Sequence, residues 1–202
     1  SYPNLNLSIA GGAMLNKGSS IKFGAFSNDD NDFSETFFIG EFNQTFEQID
    51  VKIGGWYQSG DVKHYTLDFN ADFPMRHFEL KSGDAGLYVT MDGALNLHLS
   101  KGQSVDWFLQ AGMSNQDTQL MYRHLGMGAV WNNPFNRNSS QLGVAFTAVE
   151  TSDQVNDRIP AAEVVLETFY KFSYNKYVTI KPNVQYIKNP AAEPGLDDAV
   201  VF

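Results

Sequence analysis

The sequence predicts an all-β chain, folded as one antiparallel up-and-down barrel, and three observations carry that expectation. Apolar residues recur at every second position over long stretches, which gathers them on one face of a strand and would scatter them around a helix. The composition joins 17 Gly to 16 Phe, 9 Tyr and 3 Trp with only 18% charged residues. Aromatic side chains favour strands, and Gly inside a helix costs about 1 kcal/mol relative to Ala. Stretches rich in Asn, Asp, Ser, Gly and Pro separate the alternating segments as turns do. A length of 202 residues, with no composition shift or linker along it, suits a single domain over residues 1–202.

The elements follow in chain order. Leu5, Leu7, Ile9, Ala13 and Leu15 alternate with Asn4, Asn6, Ser8 and Gly12. Residues 21–26 and 36–46 are less regular strand candidates, and Ile49, Val51, Ile53 and Tyr57 then alternate with Asp50, Lys52, Gly54 and Gln58. The clearest case is 87–99, where Leu87, Val89, Met91, Leu95, Leu97 and Leu99 share one parity and Tyr88, Thr90, Asp92, Asn96 and His98 the other. Val105, Trp107, Leu109 and Met113 repeat the pattern, as do Leu142, Val144, Phe146 and Ala148, with 120–131 and 164–172 as irregular candidates. Val178, Ile180, Pro182, Val184 and Tyr186 alternate with Thr179, Lys181, Asn183 and Gln185, and 199–202 is a fragmentary strand. The count is about ten or eleven strands and no helix. Five spans, 87–99, 103–114, 139–149, 164–173 and 176–187, are expected to be antiparallel strands, each paired with its sequence neighbour.

Turn-forming stretches fall at 28–32, 81–85, 115–118, 132–140, 151–160 and 189–198. Strands of this length, joined by alternately short and long connections, fit a barrel in either of two solvents. A membrane strand tilted by about 45° needs roughly 9–11 residues, which several segments reach. Trp56, Tyr57, Trp131, Tyr174, Tyr177 and Tyr186 lie near strand ends, as in interfacial girdles. A soluble barrel or sandwich with an apolar interior alternates too, so periodicity alone leaves both readings standing. No run approaches the roughly 18 apolar residues of a spanning helix.

Other classes are excluded more directly. Fourteen Lys and Arg against 23 Asp and Glu give a net charge of -9, which disfavours nucleic acid. The absence of Cys removes disulfides and thiolate metal sites. His64, His77, His98 and His124 show no metal-ligand spacing, and the acidic group Asp29, Asp30 and Asp32 lacks that of a calcium loop. No Gly-x-Ser-x-Gly elbow is present; the members of a Ser-His-Asp set need not be adjacent in sequence, which keeps a barrel hydrolase as a third reading, but the sequence nominates no nucleophile, so no enzyme activity and no cofactor are expected.

Several stretches carry a family resemblance. Gly86-Leu87-Tyr88-Val89-Thr90-Met91-Asp92, residues 108–114, and Leu125-Gly126-Met127-Gly128-Ala129-Val130-Trp131-Asn132-Asn133-Pro134-Phe135-Asn136-Arg137 follow one another in order. Glu163 and Glu167 then precede Phe169-Tyr170-Lys171, and Ile180-Lys181-Pro182-Asn183-Val184-Gln185-Tyr186-Ile187-Lys188-Asn189-Pro190 closes the set, with Gly54-Gly55-Trp56-Tyr57 and Ser59-Gly60 upstream. Over roughly residues 48–202 this pattern resembles the carbohydrate-selective porin (OprB) family. Gly93, Lys181, Ser139 and Ser140 depart from the family's usual residues, which bears on sugar preference rather than fold.

The resemblance implies an outer-membrane porin, a transmembrane β-barrel of about sixteen strands, of which this chain would be an incomplete C-terminal portion. It implies a water-filled channel in the bacterial outer membrane, with neutral sugars and outer-membrane lipid as partners, and leaves monomer and trimer open. A general pore without sugar preference is the nearest alternative within the class. Within that frame the polar rows should line the lumen: Tyr88, Asp92, Asn96 and His98; Arg123; Glu163, Glu167 and Lys171; Lys181, Asn183 and Gln185. Leu87, Val89, Leu95, Leu97, Val144, Phe146, Val178, Ile180 and Val184 should face lipid, because a Lys or Arg there would cost about 2–4 kcal/mol at mid-depth.

Overall fold

A computed structural model describes residues 8–27, 35–68, 75–95, 97, 102–152, 162–193 and 195–202. These residues form one antiparallel sheet. Its strands are β1 (Ser8–Asn16), β2 (Ser19–Ser27), β3 (Thr36–Phe46), β4 (Ile49–Asp68), β5 (Met75–Leu95), β6 (Ser104–Ser114), β7 (Met121–Asn132), β8 (Ser140–Thr151), β9 (Ala162–Ser173), β10 (Thr179–Ile180), β11 (Asn183–Lys188) and β12 (Ala199–Val201). Each pairs with its sequence neighbour in the order β1 to β9, then β11 and β12, with β10 beside β9. Among the described residues β1 pairs only with β2 and β12 only with β11, so the sheet is open.

The expected meander is present, with two differences. The span expected at 176–187 is two short strands, because Pro182 offers no N–H to the ladder; its carbonyl instead accepts from Tyr170 N at 3.1 Å. The strand expected at 87–99 is seen as far as Leu95, and Asn96, His98 and Leu99 lie outside the described residues. Its start lies much earlier, because β4 and β5 continue past their neighbours as a two-stranded ribbon in which 61–68 pair with 75–82. An irregularity between Gln58 and Asp61 marks the base of that ribbon, where Gly60 and Gly83 have φ of +96° and +90°. Those positive values are the reason glycine stands at both places.

Residues paired across an antiparallel ladder share a face, so the registers sort every strand residue. One rung reads Ala13, Ile21, Phe42, Ile53, Val89, Ala111, Leu125, Ala148 and Val164, from β1 to β9. The next on the same face reads Val51, Met91, Leu109, Met127, Phe146, Leu166, Tyr186 and Val200. The opposite face has the rung Thr45, Asp50, Asp92, Phe108, Gly128, Ala145, Glu167 and Gln185. The alternation has thus produced one apolar and one polar surface.

The apolar surface has no core to enter. The one buried hydrophobic residue among those described is Ala192, whereas Leu87 is 65% and Ile53 57% exposed. A soluble barrel buries such a row in a dry interior, and here the leucines stand open across the sheet. The sheet is held by its backbone ladder, and among the described residues no second layer covers its apolar face. Below the ribbon, the charged residues described on that face are Arg123, Glu150 and Lys188, at the end of the sheet from which the ribbon projects. Tyr57, Trp131 and Tyr186 also lie on it, as interfacial girdles require, whereas Trp56 is on the polar face, paired with Gly86 and stacked on Phe37 at 5.8 Å.

Candidate functional site

The polar face is the surface on which chemistry is concentrated, and glycines shape it. Tyr88, on β5, lies across Gly54 of β4: a Cβ added at Gly54 would come within 2.2 Å of its ring. So laid down, its hydroxyl reaches two strands away and donates to Glu41 Oε2 of β3 at 3.0 Å. Phe108 covers Gly128 and Phe169 covers Gly143 in the same manner, with would-be Cβ contacts of 2.6 and 2.2 Å. Rings flattened in this way leave the space above the wall open, which upright aromatics would fill.

Charges on this face are held by an opposite charge, a neutral polar group or a ring. Lys52 Nζ lies 3.3 Å from Asp92 Oδ1, both half exposed. Asp50 and Asp92 stand directly opposite each other, a repulsive placement. It is relieved because Thr45 Oγ1 donates to Asp50 while Lys52 takes Asp92. Further along, Gln185 Nε2 donates to Glu167 Oε2 at 3.0 Å. Lys181 Nζ sits over the Phe169 ring, 4.1 Å from its centroid, so that ring has Gly143 beneath it and an ammonium above.

At one end of the strands, Asn132 Nδ2 donates to Asp106 Oδ2 at 2.6 Å and to Ser104 Oγ at 3.0 Å, while its Oδ1 accepts from Gln141 Nε2 at 2.9 Å. Lys171 is in register with Gln141 and lines the recess beside Asn132, Asn133 and Ser140. At the other end, Glu163 Oε2 accepts from Ala191 N at 2.6 Å, tying β9 to the Pro190–Ala192 turn. Asp198 is held there by the Tyr186 hydroxyl and by Asn189 N at 3.2 Å. The Tyr186 hydrogen bond first, the amide next and Lys188 nearby together lower its carboxyl below the usual range.

Of the residues expected to form the site, Tyr88, Asp92, Glu163, Glu167, Lys171, Lys181, Asn183 and Gln185 are on the polar face. They form two groups, one on β5 and one on β9 to β11, which share the face without touching. Asn96 and His98 lie outside the described residues. Arg123 is a correction: it is in register with Met113 and Glu150 on the apolar face, and its neighbour His124 takes the polar side opposite Gly112. The ladder is irregular between Met121 and Arg123, at the start of β7, where a charge can reach the interface. Arg123 Nη1 accordingly pairs with Glu150 Oε2 at 3.4 Å, and Tyr122 donates to the same oxygen at 3.1 Å. Sequence reasoning missed Lys22, Glu41 and Lys52, although the parity of 49–58 already set Lys52 against the apolar row.

The carbohydrate-selective porin, OprB family model matches residues 1–202. A structure of OprB from Pseudomonas putida, determined at high pH, superimposes with a TM-score of 0.81 at 17% sequence identity, covering 96% of this chain and 56% of that one. The chain therefore spans little more than half the length of that structure. Comparison with curated proteins gave no match. With a two-faced antiparallel meander, a glycine-flattened polar wall and a family match along its whole length, the chain belongs to the carbohydrate-selective porin family, a family of bacterial outer-membrane proteins.

Proposed function

We propose that this chain forms part of the wall of a water-filled channel that lets neutral sugars diffuse passively across the bacterial outer membrane. In this reading the apolar face meets lipid and the polar face lines the lumen. The observation that carries it is the rung Asp50, Asp92, Phe108, Glu167 and Gln185, with Lys52 and Lys181 beside it. Acids, bases and amides interleaved with rings can exchange hydrogen bonds with a sliding polyol. Both charge signs side by side attract neither ion strongly, and binding stays weak enough for release.

The orientation follows from the connections. Turns 17–18 and 47–48 and the connections 96–103, 133–139 and 174–178 join strands at one end, whereas the long ribbon of β4 and β5 and the connections 28–35, 115–120, 152–161 and 189–198 join them at the other. In barrels of this type short turns are periplasmic and long loops extracellular, so the ribbon stands outside the cell. Recording from single channels of the intact protein tests the function. Glucose at millimolar concentration should block the ion current reversibly, and Glu167→Ala or Lys171→Ala should shift ion selectivity. A current indifferent to glucose, in liposomes that swell no faster in sugar than in a zwitterion of equal size, would leave a general pore instead.

A further inference from the structure

The wall contains a trough that touches the residues nominated by the sequence only at Tyr88. It has a volume of about 490 Å³ and lies over β1, β2 and β3. Its floor is Gly12 and Gly24. The Lys22 stem leans over Gly12, with Cγ 3.3 Å from a would-be Cβ, and the Phe26 ring lies over Gly24 at 2.6 Å. Lys22 and Glu41 are cross-strand partners on the polar face. Tyr88 closes the side nearest β4 by donating to Glu41 Oε2, and a carboxylate that has accepted one hydrogen bond still has lone pairs with which to accept from a ligand.

We infer that this trough is a binding station for one neutral pyranose, a reading that rests on the sugar channel proposed above. A cation and a carboxylate set side by side give no net attraction for either ion. They offer a donor and an acceptor at the spacing of neighbouring strands, which suits adjacent hydroxyls. The Phe26 ring and the glycine floor give the C–H face of a sugar an apolar surface, and a shallow apolar recess with a few fixed polar groups is the usual form of a small-molecule site. Glu41 is held by Tyr88 before the ligand arrives, so less order is lost on binding. Tyr88 is therefore a positioning residue for Glu41 as well as a wall of the site.

The test is glucose block of single-channel current in the intact protein, comparing wild type with Tyr88→Phe and Lys22→Met. Tyr88→Phe changes no charge, so any effect on block at unchanged sugar-free conductance belongs to the hydroxyl. The expected result is a weakening of glucose block by about tenfold in Lys22→Met, the scale of one hydrogen bond to a charged group, and by a smaller factor of about threefold in Tyr88→Phe, which frees Glu41 without removing a bond to the sugar. Wild-type current blocked by glucose, with both variants blocked equally well, overturns the trough and leaves the sugar channel standing. Wild-type current that ignores glucose overturns both.

Discussion

Gly54→Ala isolates the contact between glycine and ring from every other effect of adding a methyl group, because Gly40→Ala serves as its control. A Cβ at Gly40 meets nothing within 4 Å, whereas one at Gly54 would lie 2.2 Å from Tyr88 Cζ and 2.4 Å from its hydroxyl oxygen. Both substitutions reduce the conformational freedom of the unfolded chain, which stabilises by about 0.4–1 kcal/mol where the backbone tolerates Ala. Gly40→Ala should show that gain. Gly54→Ala should lose it, because the ring must lift and break the hydrogen bond to Glu41, which at about 1.5–3 kcal/mol for a charged acceptor outweighs the gain. The net is a destabilisation of about 0.5–2.5 kcal/mol. Urea unfolding of the protein refolded into lipid vesicles, followed by tryptophan fluorescence, gives both values. In a Tyr88→Ala background the Gly54→Ala penalty should vanish. If Gly54→Ala is as benign as Gly40→Ala, the ring does not lie on that glycine and the account of the wall fails.

Other expectations can be checked on the same preparations. Val89→Lys, in the middle of the apolar rung, should destabilise by about 2–4 kcal/mol, whereas Arg123→Ala at the strand end should cost about 1 kcal/mol or less; equal losses would refute the face assignment. Lys181→Met should remove the ammonium above Phe169 and shift the channel toward cations, measured as reversal potential in a salt gradient. The Asp198 carboxyl is held below its usual value, so its tie to Tyr186 and Asn189 is complete above the ordinary carboxylate range and is lost as pH falls through the lowered value. Hydrogen exchange at Asn189 should therefore rise only in acid, below the ordinary carboxylate range, and Asp198→Asn should abolish that dependence.

Most of the architecture could be read from parity. The odd row from Leu87 to Leu95 and the even row from Tyr88 to Asp92 already separate two faces, and neighbouring strands in register must continue them. The height of β4 and β5 was hidden because alternation in 61–68 and 75–82 is confined to two runs of four, Tyr65 to Asp68 and Phe78 to Lys81, too short to extend the rows of 49–58 and 87–95. The break at Pro182 was visible as a missing donor but not as two separate strands. Arg123 and His124 show the limit at a single residue. Adjacent side chains must take opposite faces, yet which one faces water depends on the register at the start of β7. The trough was out of reach for a different reason, since Tyr88 and Glu41 are separated by 47 positions and meet only because Gly54 lets the ring pass.

The glycine and ring pairs fall in a pattern with an evolutionary consequence. Tyr88 over Gly54 and Trp56 over Gly86 both join β4 to β5, Phe108 over Gly128 joins β6 to β7, Phe169 over Gly143 joins β8 to β9, and on the apolar face Phe23 over Gly11 joins β1 to β2. Each ring therefore finds its glycine inside its own hairpin. A gene that duplicates or deletes the β4–β5, β6–β7 or β8–β9 hairpin carries both members of each pair within it, and none of those rings is left facing a side chain that cannot make room for it. Strand number in such a wall can change two at a time without redesign of what remains, and hairpins from divergent relatives can be exchanged as whole units.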